Sequence, residues 1–167
     1  LNKLISSRPA VTGDLPFIVD VYNSTIAGRM VTADTTPVSV ESRLDWFNQH
    51  QTAERPLWLI EYDGKPCGWV SLSSFYGRPA YNKTVEISLY IHSDFRGKRI
   101  AQTIVPQLES HAKSHKIETI LCFIFGHNLP SLGLFSKLGY QQYGLLPEVA
   151  ELDNIKRDLV ILGKKII

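Results

Sequence analysis

A mixed α/β (α+β) fold, a sheet with helices on both of its faces, is predicted by three observations on this chain. Residues 84–91 (T-V-E-I-S-L-Y-I) alternate apolar Val85, Ile87, Leu89 and Ile91 with Glu86, Ser88 and Tyr90, which is the period of a strand. Ile100, Ile104, Leu108 and Ala112 recur at spacing four, the stripe of a helix laid on a sheet. Segments of the two kinds follow one another in the order β, α, α, β, β, β, α, β, α, β, β, which stacks helices against both sides of a sheet. With 167 residues and 44% hydrophobic content, the chain can build one domain over residues 1–167 whose core needs neither disulfide nor metal.

Taken in order, residues 3–10 (K-L-I-S-S-R-P-A) read as a first strand, ended by Pro9 and the turn at Thr12, Gly13 and Asp14. A helix follows, its free N–H groups capped by Asp14, with Ile18, Val21, Tyr22 and Thr25 on one face. Residues 28–37 lack periodicity and read as a loop. Ser39 opens a second helix, residues 39–47, whose Leu44, Trp46 and Phe47 are expected to face the core. Strands at residues 57–62 and 65–75 flank Asp63-Gly64, a strong hairpin signal. The strand at residues 83–92 leads to the striped helix, which Pro106 is expected to kink by removing an interior N–H. A buried strand at residues 118–125, a helix at residues 130–138 stopped by Gly139, and two tail strands at residues 140–145 and 158–162 complete the order.

Composition removes several classes of function. Eighteen Lys and Arg against 16 Asp and Glu give a formal charge of +2, too balanced for a nucleic-acid track. Cys67 and Cys122 lie far apart with no ligand spacing and read as reduced packing residues, a nucleophilic Cys122 being the alternative. The apolar run around Cys122 is about six residues against the ~20 of a spanning helix, and no secretory segment opens the chain, so a cytoplasmic protein is expected. His50, His92, His111, His115 and His127 form no H-E-x-x-H or similar pair, and no metal is assigned.

The chemistry concentrates at residues 96–101, R-G-K-R-I-A, a basic glycine-containing turn between the strand of Glu86 and the striped helix. Such a turn aims several backbone N–H groups and a helix N-terminus at one spot, which suits a phosphorylated small ligand. It is neither a nucleotide P-loop (G-x-x-x-x-G-K-[ST]) nor a dinucleotide G-x-G-x-x-G. Glu86 shares the polar face of its strand with Ser88 and Tyr90, where it can accept a proton; a surface or paired carboxylate is the alternative.

Four stretches carry a family resemblance. Residues 96–101 resemble the acetyl-CoA pyrophosphate loop of the GNAT superfamily, Arg/Gln-x-x-Gly-x-Gly/Ala, through Arg96 and Ala101, with Arg99 in place of the middle glycine. R-P-A-Y-N-K-T-V-E-I-S-L-Y at residues 78–90 resembles the substrate-side segment of phosphinothricin-type acetyltransferases. N-L-P-S-L-G-L-F-S-K-L-G-Y at residues 128–140 resembles their Asn-x-x-Ser helix, and R-P-A, V-Y-N and T-P near the start also match.

The resemblance implies the GNAT fold, a mixed, mostly antiparallel sheet, and transfer of an acetyl group from acetyl-CoA to the α-amine of a small substrate of the phosphinothricin, methionine sulfoximine or methionine sulfone type. It implies Glu86 as general base. Backbone of Leu89 and Ile91 would meet the pantetheine arm, and Arg96, Gly97, Lys98, Arg99 and Ala101 the pyrophosphate. Asn128 and Ser131 would lie by the acetyl-CoA arm, a helix cap being the alternative for Asn128. Arg78, Tyr81 and Ser88 would contact substrate, with an exposed loop charge and core packing as the alternatives for Arg78 and Tyr81. A homodimer is implied as well.

Two departures carry expectations of their own. A left-handed Arg99 would cost roughly 1–2 kcal/mol, so a helical Arg99 is expected, its side chain turned to phosphate or solvent. Phe135 stands where many relatives place a proton donor, leaving Ser131, Ser136, water or solvent to protonate the thiolate. Rival readings are a protein N-terminal or polyamine acetyltransferase and a non-catalytic acyl-CoA-binding module.

Overall fold

The computed structural model describes residues 4–167, so Lys3 of the expected first strand lies outside the described residues. Strands β1 (Ile5–Pro9), β2 (Gln51–Thr52), β3 (Arg55–Tyr62), β4 (Lys65–Ser74), β5 (Thr84–Ile91), β6 (Thr119–Phe125), β7 (Gln141–Leu152) and β8 (Ile155–Lys165) form one mixed sheet ordered β1-β3-β4-β5-β6-β8-β7, with β2 added to β3. Helices α1 (Leu15–Ser24), α2 (Leu44–Asn48), α3 (Ile100–Ser114) and α4 (Leu129–Lys137) complete it. Every pairing is antiparallel except β5 with β6.

The expected hairpin forms between β3 and β4, where Asp63 and Gly64 both take positive φ (51° and 77°), the mirror-image turn whose twist matches the strands. Alternation sorts the sheet's two faces into two cores. Val70, Leu72, Val85 and Ile87 pack with Ile100, Ile104 and Leu108 of α3, while Leu57, Leu59 and Trp69 pack with Ile18, Val21 and Phe47 of α1 and α2. The four stripe residues of α3 are all buried. Pro106 lies on the exposed side of α3, opposite that stripe, and the helix runs on to Ser114. The carbonyl that loses its partner, on Gln102, belongs to that exposed side too.

Several expectations are corrected. Asp14 does not cap α1: its carboxylate accepts both Arg8 guanidinium N–H groups (2.8 and 2.9 Å) and the Val11 N–H (2.8 Å), clamping α1 to β1. Thr25 follows the end of α1, and the second helix begins as a 3₁₀ turn, Glu41–Arg43, before α2. Leu44 is exposed and only Phe47 of α2 is fully buried, because so short a helix offers the core barely one turn. The tail strands are far longer than expected. A turn at Asp153 and Asn154, both at positive φ (53° and 65°), closes a long β7–β8 hairpin. Pro147 and Glu148 interrupt its alternation at a register shift between Leu146 and Ala150, where an edge strand tolerates proline.

Among the described residues, no helix is long and apolar enough to cross a membrane.

Candidate active site

Strands β5 and β6 pair over only three positions, Thr84 with Thr119, Val85 with Ile120 and Glu86 with Leu121, and then part. Beyond them β5 stays bonded to β4 as far as Ile91, and β6 stays bonded to β8 as far as Phe125. Each strand thus keeps its outer neighbour and loses its inner one. Two facing strand edges are left with backbone N–H and C=O groups that need a partner. The gap is a cleft of about 380 Å³ bounded by Glu86, Ser88 and Leu89 on one side and Phe123 on the other, with Asn128 and Phe135 behind. An extended amide-bearing arm can satisfy such edges, so the residues present fit acetyl-CoA. Ile91 lies at the open end of β5 and does not line the cleft itself.

The basic turn lies past the end of β5. Arg96 is extended, Gly97 has φ 75°, and Arg99 has φ 59° and ψ 33°. Arg99 is therefore left-handed, against the expectation of a helical residue. The middle glycine of the family pattern marks a backbone position that has to turn left-handed for α3 to start here, and this chain makes that turn with arginine at a cost of roughly 1–2 kcal/mol. The outcome is a concave run of donors: among the described residues the N–H groups of Gly97, Lys98, Arg99, Ile100 and Ala101 donate to no backbone carbonyl. Arg96 and Arg99 are exposed. The Lys98 ammonium sits over the Tyr62 ring, 5.0 Å from its centroid, so Lys98 offers the turn its N–H more directly than its charge.

Glu86 occupies the last paired position before the strands part. Burial pushes its carboxyl up from the ordinary value, which strengthens it as a base. Across β4 its partner is Ser73, whose hydroxyl is 2.9 Å from His50 Nε2, while His50 Nδ1 is 2.7 Å from the Trp46 carbonyl. That carbonyl can only accept, so Nδ1 carries the proton and Nε2 receives the Ser73 hydroxyl. His50 is 5% exposed and burial lowers its pKa. The sequence had singled His50 out only as a histidine with no metal partner.

Asn128 has a double engagement. Its Oδ1 accepts the Ser131 N–H at 3.3 Å, capping α4, and its Nδ2 donates to the Met30 carbonyl at 3.2 Å. His127 Nε2 lies 2.9 Å from the Arg29 carbonyl, so the β6–α4 turn straps the loop holding Val31 and Thr32 over the cleft. Ser131 lines the cleft; Ser136 is exposed and does not. Phe135 is buried edge-on to Tyr140 and also lines it. Burial raises the thiols of Cys67 and Cys122 to about 11 and about 12, as befits packing residues.

On the polar face of β5 lies a second chamber of about 200 Å³, walled by Tyr22, Arg43, Trp46, Trp69, Ser88 and Tyr90. Ser88 and Tyr90 line the cleft too, so the two spaces share one strand. Arg78 and Tyr81 line neither. Both are exposed, Arg78 just before and Tyr81 at the end of the short turn Pro79–Tyr81, and Tyr81 reaches the cleft wall through Phe75, which touches it edge-on and packs on Phe123. Among the described residues no group of three or more His, Cys, Asp or Glu could hold a metal ion.

The acetyltransferase (GNAT) family profile matches residues 19–140. The chain is 48% identical over 160 residues, 95% of its length and 98% of the relative's, to YwnH of Bacillus subtilis, a phosphinothricin acetyltransferase-like protein. It is 28% identical, over 87% of its length and 86% of the relative's, to an L-methionine sulfoximine/L-methionine sulfone acetyltransferase of Pseudomonas aeruginosa. A crystal structure of a phosphinothricin N-acetyltransferase-like protein superposes with a TM-score of 0.92 at 46% identity, covering 98% of this chain and 99% of that one.

Proposed function

The chain belongs to the GNAT family of acetyltransferases, and from that premise we propose that it transfers the acetyl group of acetyl-CoA to the α-amine of a small amino-acid-like substrate. The observation that carries this reading is the position of Glu86, a half-buried carboxyl with a raised pKa at the point where β5 and β6 part. An amine reaching that point arrives largely as ammonium and has to lose a proton before attack. Glu86 takes it, directly or through water. Donors at Arg96, Gly97, Lys98, Arg99 and Ala101 hold the pyrophosphate, and the open edge of β5 around Leu89 and Ile91 pairs with the pantetheine arm. Of the two serines expected to protonate the leaving thiolate, Ser131 lines the cleft and is the one proposed for that step.

The substrate class is supported by the relatives, whose names give phosphinothricin, methionine sulfoximine and methionine sulfone. Arg78 and Tyr81 remain proposed substrate contacts only at the rim, reached when the acceptor enters. A homodimer belongs to the same reading. It is supported by β7, an edge strand of the sheet, which exposes Tyr143, Leu145, Leu146 and Val149. The deciding experiment offers acetyl-CoA with a panel of free amino acids, polyamines and peptides and follows thiol release. Turnover restricted to peptides or polyamines would sink the proposal.

A further inference from the structure

The chamber on the polar face of β5 sets an incompletely paired charge among core side chains. Its walls are aromatic: Trp69 stacks on Tyr90 (4.7 Å between ring centroids, 17° between planes), Trp46 meets Trp69 edge-on at 5.3 Å, and Tyr22 leans on Tyr90 at 5.2 Å. Into this wall is set one guanidinium. Arg43 lies over the face of Tyr22, 4.9 Å from its centroid, and gives a single hydrogen bond, Nη2 to Asp34 at 3.3 Å. Asp34 is itself shared with the Tyr22 hydroxyl. The other N–H donors of the Arg43 fork have no protein acceptor among the described residues, although a guanidinium can serve acceptors along more than one edge.

Two further donors on this side of the sheet are orphaned. Trp69 Nε1 and Ser71 Oγ are buried without partners. In the β4–β5 register Trp69 opposes Tyr90, Ser71 opposes Ser88 and Ser73 opposes Glu86, so the orphans share a sheet face with the proposed base. A buried donor with no acceptor is destabilising, and a ligand oxygen bound at Trp69, which lines the chamber, would remove that cost for its N–H.

We propose that this chamber is the acceptor site and that Arg43 is its anion anchor: it takes a free α-amino acid, holds the α-carboxylate on the Arg43 guanidinium, lays the side chain against Trp46, Trp69 and Tyr90, and presents the amine past Ser88 toward Glu86. The inference deepens the acetyl-transfer reading and rests on it for the direction in which the amine points. Selectivity follows from the walls. A compact side chain that is apolar along its length and carries an oxygen for the Trp69 N–H fits, whereas a peptide, whose carboxyl is already an amide, forfeits the anchor. Asp34 keeps Arg43 in place when no ligand is bound.

The test pairs each amino acid with its own α-amide, using L-methionine sulfone and its amide as the probes. Binding is read from quenching of tryptophan fluorescence and turnover from thiol release with acetyl-CoA, in wild type, Arg43→Gln, Arg43→Lys and Arg78→Gln. Wild type should bind the carboxylate form about tenfold or more tighter than the amide, as a charged hydrogen bond requires. Arg43→Gln should bring that ratio to near one, Arg43→Lys should restore part of it, and Arg78→Gln, at the rim, should lower it far less than Arg43→Gln does. The ratio is internal to each variant, so a smaller folded fraction does not alter it. No carboxylate preference in wild type, a ratio indifferent to Arg43, a ratio that collapses in Arg78→Gln, or no saturable quenching by the amino acid would each overturn the anchor. Binding that obeys the Arg43 ratio without any turnover would keep the anchor and sink acetyl transfer. Turnover with a ratio indifferent to Arg43 would do the reverse.

Discussion

Glu86 and Ser73 stand directly opposite each other across β5 and β4, and the Ser73 hydroxyl is already committed to a buried histidine, His50. The carboxyl therefore faces a hydroxyl whose proton points away from it. No ion pair with Glu86 is found among the described residues, and what perturbs this group is burial. That arrangement raises the carboxyl's affinity for a proton, as a general base requires.

Replacing Glu86 with Gln should lower kcat by roughly 10²-fold or more at neutral pH, the range for loss of a general base, with acetyl-CoA affinity nearly unchanged. Steady-state kinetics beside equilibrium CoA binding check this, and near wild-type turnover at every pH would sink the role. In wild type, kcat/KM should fall as the pH drops through the raised Glu86 pKa.

The same substitution should stabilise the fold. With its folded pKa above the unfolded value, Glu86 binds its proton more tightly in the native state, so its contribution is most favourable in acid and is lost as pH rises from the unfolded toward the folded pKa. Glu86→Gln should accordingly raise Tm at neutral pH and leave it nearly unchanged at about pH 4, close to the unfolded glutamate pKa. A neutral-pH Tm equal to wild type would show that the carboxyl is solvated.

His50 has the opposite sign. Its folded pKa lies below the ordinary imidazole value of 6.5, so the neutral ring is favoured, and stability should be lost as pH falls below 6.5 and the buried ring is forced to charge. Thermal melts across that range should show a steeper acid loss for wild type than for His50→Gln. Parallel profiles would mean that His50 reaches solvent when protonated.

Arg99→Gly relieves a left-handed arginine, worth roughly 1–2 kcal/mol, offset by about 0.5–1 kcal/mol of extra unfolded-state freedom for glycine. Chemical denaturation should therefore show equal or slightly higher stability. Acetyl-CoA should bind more weakly, with a shallower salt dependence, if the Arg99 charge reaches phosphate. Unchanged affinity would place that side chain in solvent.

Gly68 guards the position of β5. A Cβ there would stand 2.4 Å from the Tyr90 carbonyl oxygen and 2.8 Å from Ile91 Cδ1, so Gly68→Ala must push the free end of β5 outward. The overpacking should cost about 1–3 kcal/mol and weaken acetyl-CoA binding together. A loss of stability with intact binding would show that the cleft tolerates the shift.

What the sequence determined by itself were features set within a few residues: the Asp63-Gly64 turn, the α3 stripe, the alternation that puts Glu86 on the polar face of β5, and the cradle at residues 96–101. Each follows from a local period or a backbone preference, which survives whatever packs around it. The Asp153-Asn154 turn was equally local and could have been read, but Pro147 and Glu148 hid the strand leading to it. Tertiary structure decided the rest. That β5 and β6 pair at three positions and then part depends on which outer strand each one keeps. Arg99 is left-handed because the path into α3 demands it, whatever arginine prefers locally. Asp14 could cap α1, yet a bidentate arginine on β1 outbids an N–H. Arg43 and Trp69 meet around one chamber, and His50 and Ser73 share a hydrogen bond, only because two loops and a hairpin fold back onto one sheet face. No period in a linear chain encodes such encounters, since their free energy comes from burial and pairing between residues far apart in sequence.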